Sequence, residues 1–452
     1  MQGDVNEEDL LSLGLGMGRT HHVERSKKRK RIDQPFSEKT YVKLLQARDR
    51  MLSLGCSKSR TCFSDLQLVR LLLECATATD GNDNRSAVDS LLQLYFSAAI
   101  GGEPIQRVAA YFADGLAARL LASQSSPLFS SITAVIPPEE EFSAFTSFYC
   151  AHPLYQFAHF TANQAIIDAF EAEEHWNGGC LHVVDFDVSY GFQWPSLIQS
   201  LSDKVTTNNP ISLCITGFGR SAAELSETEK RLSSFAGECR NLLFEFEGRV
   251  RGSRGNQDLL LKKVNATVAV NLLFYFNLLN GSSDVRATLM QIHAINPSVV
   301  TLVEKEGRSG IRNTGFLSRF MDSLHYFTAI FDSLDDCLPG ESKERLGIEK
   351  SRLGREIRDD LGDVEEEGED CLRYERLEAW KTVMEKNRFE GVRMSWRSVS
   401  QAKLLLKIKG HCSAMDGNGF RIAEREEGKA ISLVWKERYL ITATAWRSLH
   451  VA

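Results

Sequence analysis

From residue 181 onward the chain alternates short apolar, β-branched runs with helix-like segments, and no other feature restricts its fold as much. The runs are Leu181–Phe186, Ile211–Thr216, Leu242–Phe246, Thr267–Leu273 and Ser298–Glu304. Each is too short for a buried helix and suits a buried strand. Segments Gln193–Leu201, Ala222–Ala236, Ser283–Ile295 and Phe316–Phe331 lie between or after them and read as helices. Strands that alternate with helices are joined by right-handed crossovers, which predicts an α/β fold with a doubly wound, mostly parallel sheet. Gly419–Glu426, Ala430–Val434 and Tyr439–Trp446 read as strands again. A tight polar turn separates the last two, so they are expected to form an antiparallel edge hairpin. The plan is that of class I methyltransferases.

Ligands of open α/β sheets sit at the carboxyl ends of the strands. Asp185, Asp187, Asn271 and Glu304 all fall there. The turn after the first strand, however, holds one glycine, Gly191, among Ser189, Tyr190, Phe192 and Gln193. A dinucleotide turn wants three closely spaced glycines, and bulky side chains obstruct backbone approach to a phosphate. No cofactor is therefore expected. Nor is there a local nucleophile–base constellation, a zinc spacing, a helix-turn-helix signature or a basic zipper. Residues 359–370 hold eight carboxylates in twelve positions without the fixed ligand spacing of a hard-cation loop, so they read as a solvated loop and not a metal site. Two readings of the cleft stay open. It is the scaffold of a non-enzymatic regulator, or it is the pocket of a methyltransferase-like enzyme or small-molecule-binding protein.

The rest of the chain frames this core. Residues 1–62 lack a strong apolar period and read as a largely disordered arm with one helix, Glu38–Leu54. In it Leu11, Leu13 and Leu15 alternate with small residues, so an extended arm would present all three on one face to a groove. Arg25, Lys27, Lys28, Arg29, Lys30 and Arg31 form a dense basic run, the pattern of a nuclear import signal or a nucleic-acid patch. Helical periodicity follows over 63–125, in Leu68, Val69, Leu72, Leu73 and Ala76 and in Ile105, Val108, Phe112, Leu116 and Leu120. Those helices form a leucine-rich cap whose apolar surface exceeds what a short cap needs, so part of it is expected to dock on a partner. The core, with further cap helices, occupies 140–449. Between the third and fourth strands, Arg249, Arg251, Arg254, Lys262 and Lys263 make either a face for DNA phosphates or an ordinary exposed surface. Ten cysteines without a Cys-x-x-Cys pair suggest reduced thiols. No apolar run nears the ~20 residues of a membrane span, and the N-terminus is unlike a secretory signal.

Several motifs in one order resemble the GRAS proteins of plants over roughly residues 65–449. Leu68–Leu121 resembles their first leucine-rich region, and Ala158-His159-Phe160-Thr161-Ala162-Asn163-Gln164-Ala165-Ile166 the segment before their core motif. Leu181-His182-Val183-Val184-Asp185 resembles the five-residue signature, continued by Gln193-Trp194. Val300–Glu304, Phe316–Phe320 and Arg355-Glu356 are similar to the region around the PFYRE block, and Arg376, Trp380, Trp435 and Trp446 follow in register. Phe320–Leu334 is similar to the nodulation-signalling branch, while the end of the chain fits scarecrow-like members generally. The resemblance implies a Rossmann-like, methyltransferase-like core under a helical cap, a nuclear role in transcription, and pairing with other GRAS proteins and DNA-binding factors. It also implies that Leu11, Leu13 and Leu15 recruit a co-repressor. Direct binding to promoter DNA and recruitment through a partner are both consistent with it.

Overall fold

The computed structural model describes residues 36–53, 64–122, 126–205, 210–239, 242–252, 265–279, 281–307, 315–339, 342–362, 374–411 and 419–449. Leu11, Leu13, Leu15, the run from Arg25 to Arg31, and Arg254, Lys262 and Lys263 lie outside these residues.

The chain from 37 onward begins with helices whose starts are written in the sequence. They are α1 (Glu38–Leu52), α2 (Asp65–Asp80), α3 (Asn84–Ser97), α4 (Pro104–Leu120) and the short α5 (Pro127–Ile132). Ser64 and Gln67 form a reciprocal capping box on α2, and Pro104 supplies a preset φ at the first turn of α4. Then come α6 (Pro138–Ala151) and α7 (Pro153–Ala172), split by the buried cap residue His152. The alternating core follows: β1 (Cys180–Asp185), α8 (Trp194–Ser202), β2 (Ile211–Gly219), α9 (Ala222–Gly237), β3 (Leu242–Val250), β4 (Thr267–Leu273), α10 (Ser282–Ile295) and β5 (Val299–Lys305). Beyond it lie α11 (Phe316–Cys337), α12 (Lys343–Ile348), a π-helical turn at Glu349–Leu353, α13 (Gly354–Gly362) and α14 (Leu377–Lys386). The last elements are β6 (Phe389–Val392), α15 (Trp396–Ile408), β7 (Phe420–Arg425), β8 (Ala430–Trp435) and β9 (Arg438–Ser448).

One nine-stranded sheet runs β3-β2-β1-β4-β5-β9-β8-β7, with β6 pairing onto β9. The first five strands are parallel and the rest antiparallel. This is the Rossmann-like, methyltransferase-like plan with an antiparallel end and a helical cap. The terminal hairpin differs from expectation in place. β9 is internal, between β5 and β8, and β7 is the outer strand. Every residue of β4 and β5 is buried, as parallel strands covered on both faces should be. On one face Val184, Val270, Leu272, Val300 and Leu302 pack with Val285, Leu289 and Ile292 of α10 and with Trp380 and Met384 of α14. Side chains alternate along a strand, so Asp185, Asn271 and Thr301 point to the opposite face, where α7 lies.

Buried charge holds the cap together and ties it to the helices that follow β5. Arg107 of α4 donates from Nε to Glu349 (2.9 Å), from Nη2 to Asp335 (2.9 Å) and from Nη1 to the Gly102 carbonyl (2.8 Å). Arg48 of α1 grips both oxygens of Asp114 at 2.8 Å, and the Tyr95 hydroxyl donates to the same carboxylate. The apolar faces of α2, α3 and α4 are largely spent inside, for example Phe112 edge-on to Phe320 and Phe327. Leu66 and Phe96 are the large apolar residues that α2–α4 leave exposed. At Gly354 a Cβ would lie 2.5 Å from Tyr111 Cδ1 and 2.9 Å from the Glu349 carbonyl oxygen. Gly354→Ala should therefore cost about 1–3 kcal/mol through overpacking between α4 and α13. A denaturant midpoint unchanged from wild type would show that this contact relaxes freely.

Candidate functional site

The strand order reverses between β1 and β4, and ligand crevices form at such a switch point. β1 delivers Asp185 there, fully buried. Its carboxylate accepts from Asn271 Nδ2 (3.0 Å), Trp194 Nε1 (3.2 Å) and the Asp187 backbone N–H (3.3 Å). Gln193 and Asn271 exchange side-chain bonds (3.0 and 3.2 Å), and Gln193 also donates to Asn163 Oδ1 (3.0 Å) on α7. Asn163 returns bonds to the Gln193 carbonyl and Ser196, and Thr301 donates to Asn271. Burial pushes the Asp185 carboxyl up to about 7, against the pull of Asn271. Glu304, at the end of β5, is likewise pushed up to about 8 by burial, although it accepts from the Phe276 N–H (2.8 Å) and Asn277 Nδ2 (2.5 Å).

Above this network a cleft of about 270 Å³ opens between the strand ends and the cap. Asp187, Ser189, Tyr190, Gly191 and Phe192 line it from the loop after β1, and Phe145, Tyr155 and His159 from α6 and α7. Arg352 and Arg355 come from the π-helical turn and α13. Its carboxylates are mostly claimed by cations: Asp187 by Arg251 (3.3 Å), Glu141 by Arg355 (2.6 Å) and Arg220 (3.5 Å), and Glu356 by Lys305. His159 is neutral, since burial pushes its imidazole down to about 3, and its Nδ1 has no hydrogen-bond partner among the described residues.

The other residues singled out in the sequence are spread over the core. His182 shares a 2.9 Å bond with Thr216, which reaches Glu247, while Val183 and Val184 are plain core. Arg376 stands at the N-cap position of α14, and Trp380 packs on Phe276 at 5.3 Å. Trp435 donates to Asp332 (2.7 Å), and Trp446 to Thr444 (2.8 Å). Arg249 pairs with Glu247 (2.7 Å), on β3 and not in the loop after it. Sequence reasoning passed over Arg352, Arg220 and Tyr155. Nothing in the local pattern separates Arg352 and Tyr155 from any other arginine or tyrosine on a helix face, or Arg220 from any other arginine in a strand-to-helix turn.

A methyl donor or dinucleotide, which the fold family would imply, does not fit these residues. Asp185 has its oxygens engaged by three internal donors. β2 ends in Gly219, and Arg220 follows it where a ribose-binding sheet places a carboxylate. Gly191, at φ +74°, is clasped against α9, and a Cβ there would meet Thr228 at 2.8 Å. On its α9 side the turn is covered by protein, with Thr228 donating to the Ser189 carbonyl and Arg231 to that of Tyr190. Among the described residues no group of three His, Cys, Asp or Glu is placed to hold a metal ion, and no helix is long and apolar enough to cross a membrane.

Comparison with known proteins agrees with this architecture. The chain is 35% identical over 390 residues to Protein SCARECROW of Ipomoea nil, an alignment covering 84% of this chain and 46% of that one. It is 33% identical over 390 residues to Scarecrow-like protein 23 of Arabidopsis thaliana, covering 85% and 90%. The crystal structure of SCL7 of Oryza sativa matches with a TM-score of 0.67 at 33% identity, over 84% of this chain and 99% of that one. The chain spans about half the length of the SCARECROW proteins it matches. Residues 68–447 match the GRAS domain family, so the motif order around β1, the sheet and the relatives converge, and the chain belongs to that family.

Proposed function

We propose that this protein is a nuclear regulator of transcription and carries out no catalysis. The observation that carries the reading is the match to the GRAS domain family over residues 68–447, joined to a β1 loop whose polar groups are spent on one another. Its partners are other GRAS proteins and DNA-binding transcription factors. Arg249 and Arg251 are held by Glu247 and Asp187, which favours recruitment to promoters through a partner over phosphate contact at that edge. Arg25, Lys27, Lys28, Arg29, Lys30 and Arg31 supply nuclear import, because a dense cation cluster suits an acidic receptor groove. Leu11, Leu13 and Leu15 dock on a co-repressor, each buried leucine contributing roughly 1.5–3 kcal/mol before the cost of ordering the arm.

One reporter assay in plant cells tests both ends of the reading. The full chain, tethered to a promoter, should repress; replacing the three leucines by alanine should abolish repression. Replacing Lys27–Arg31 by alanine should move a tagged protein to the cytosol. Activation by the tethered wild type, or nuclear accumulation without the basic run, would refute the corresponding assignment.

A further inference from the structure

Arg352 stands apart from the other cations of the cleft. Arg220, Arg251, Arg355 and Lys305 each face a carboxylate, whereas Arg352 forms no ion pair among the described residues. Its Nη2 donates to the Tyr155 hydroxyl (2.5 Å), and its Nε, shielded from solvent, has no acceptor. The guanidinium lies 5.7 Å from the ring centroids of both Phe145 and Tyr155, and Tyr155 in turn meets Phe274 edge-on at 5.4 Å. Glu141 acts on it through space but is itself paired with Arg355 and Arg220, so a cation held by aromatic faces in a confined site without a carboxylate in contact is set up to receive an anion.

The backbone around it is unusual in the same place. Arg352 is carried by the π-helical turn Glu349–Leu353, and such turns concentrate at functional sites. Ser189 (φ +45°) and Phe274 (φ +55°), both in the cleft wall, adopt left-handed backbone that non-glycine residues rarely take. Conformations of that kind cost free energy and persist where surrounding structure holds them, often at ligand sites. Three such features on one small cavity, with the unpartnered Nδ1 of His159 in its wall, are more than packing alone requires.

We propose that the cleft binds a small, flat carboxylic acid, its carboxylate on Arg352 and its ring body among Phe145, Tyr155 and Phe274. The volume of about 270 Å³ is small beside the ~300–1,000 Å³ of ordinary ligand pockets, which restricts the occupant to a compact molecule and excludes a peptide or a dinucleotide. The aromatic walls favour a planar apolar body over a sugar. A planar carboxylate matches the guanidinium fork, whereas phosphate satisfies the charge and leaves the rings unfilled. Because α6, α7, α13 and the β1 loop all border the cavity, an occupant would join cap to core. That effect on a regulator is independent of how it reaches DNA.

The test is calorimetric titration of the full chain with 1-naphthoate, its neutral analogue 1-naphthamide, and inorganic phosphate, alongside thermal shift. The expected result is saturable naphthoate binding at least tenfold tighter than the amide and than phosphate, with a raised melting temperature. Arg352→Lys should retain part of that affinity and Arg352→Gln should lose tenfold or more. The acid–amide comparison needs no variant, so it stands even if Arg352→Gln fails to fold. Absence of naphthoate binding at millimolar concentration, equal binding of acid and amide, or phosphate binding more tightly than naphthoate would each overturn the proposal.

Discussion

Replacing Arg107 by alanine is expected to destabilise the protein by about 3–5 kcal/mol, the cost of leaving a buried charge without its partner. The Arg107 side chain is 2% exposed and that of Glu349 0%, so water cannot stand in for either. Arg345 Nη1 lies 3.4 Å from Glu349 and compensates only in part. Burial pushes Glu349 up to about 7 even with both guanidiniums beside it. Without Arg107 that carboxyl would hold its proton to higher pH in the folded state. The penalty should therefore grow as pH rises above about 7 and be smaller at pH 5.5. Urea denaturation at the two pH values measures it. A loss below about 1 kcal/mol at pH 8 would show that the cap is held on by apolar packing alone. Arg107→Met with Glu349→Gln should recover much of the loss, because the pair is costly chiefly when broken.

Asp185→Asn should show a pH-dependent effect whose sign changes. At pH 5 the native carboxyl is protonated or tightly bonded, and an amide in its place turns a donor toward Trp194 Nε1 or Asn271 Nδ2. One buried donor loses its acceptor, at a cost of about 1–3 kcal/mol. The wild-type group, raised from 3.8 to about 7, contributes stability that is complete below its unfolded value and falls away as pH climbs through its folded one. That decline amounts to at most about 4 kcal/mol. Asparagine does not titrate, so the variant should be less stable than wild type at pH 5 and equal or better at pH 8.5. Parallel melting curves across this range would show that Asp185 ionises in the folded chain as it does in the unfolded one. Glu304, raised to about 8 for the same reason, sharpens the wild-type decline without altering the comparison.

Much of the core was legible because parallel strands leave an unambiguous imprint. β4 coincides with its apolar run, and the other four begin within one residue of theirs. Burial on both faces makes such runs continuous, and α8, α9 and α10 mark the crossovers between them. β6 escaped notice, since four residues that include Glu390 and Gly391 carry neither alternation nor a run. α6 did carry a signal, Pro138 followed by three glutamates in the first turn, and α15 carried the cap Ser395. The acidic stretch beginning at Asp359 starts as the end of α13, although the sequence suggested a loop. At the site, sequence places Asp185 and Asn271 at the strand ends and Gln193-Trp194 at the head of the next helix, and the structure joins all four in one network. Arg352 was not, because a π-helical turn arises from how a helix is packed and leaves no period of its own.

The position of β9 bears on how the chain is made. Lys305 pairs with Ile441 and Val300 with Trp446, so the central strand β5 waits for a neighbour more than a hundred residues further along. At ~5–20 residues per second, a ribosome takes roughly 7 to 30 seconds to supply it. During that interval the parallel half of the sheet has an open hydrogen-bonding edge on a strand rich in apolar side chains, Val299, Val300, Leu302 and Val303, the kind of surface that templates aggregation. Folding of the domain must therefore finish late, with β9 entering between β5 and β8. A nascent chain stalled anywhere between 306 and 438 should be a strong client of chaperones that bind exposed strands.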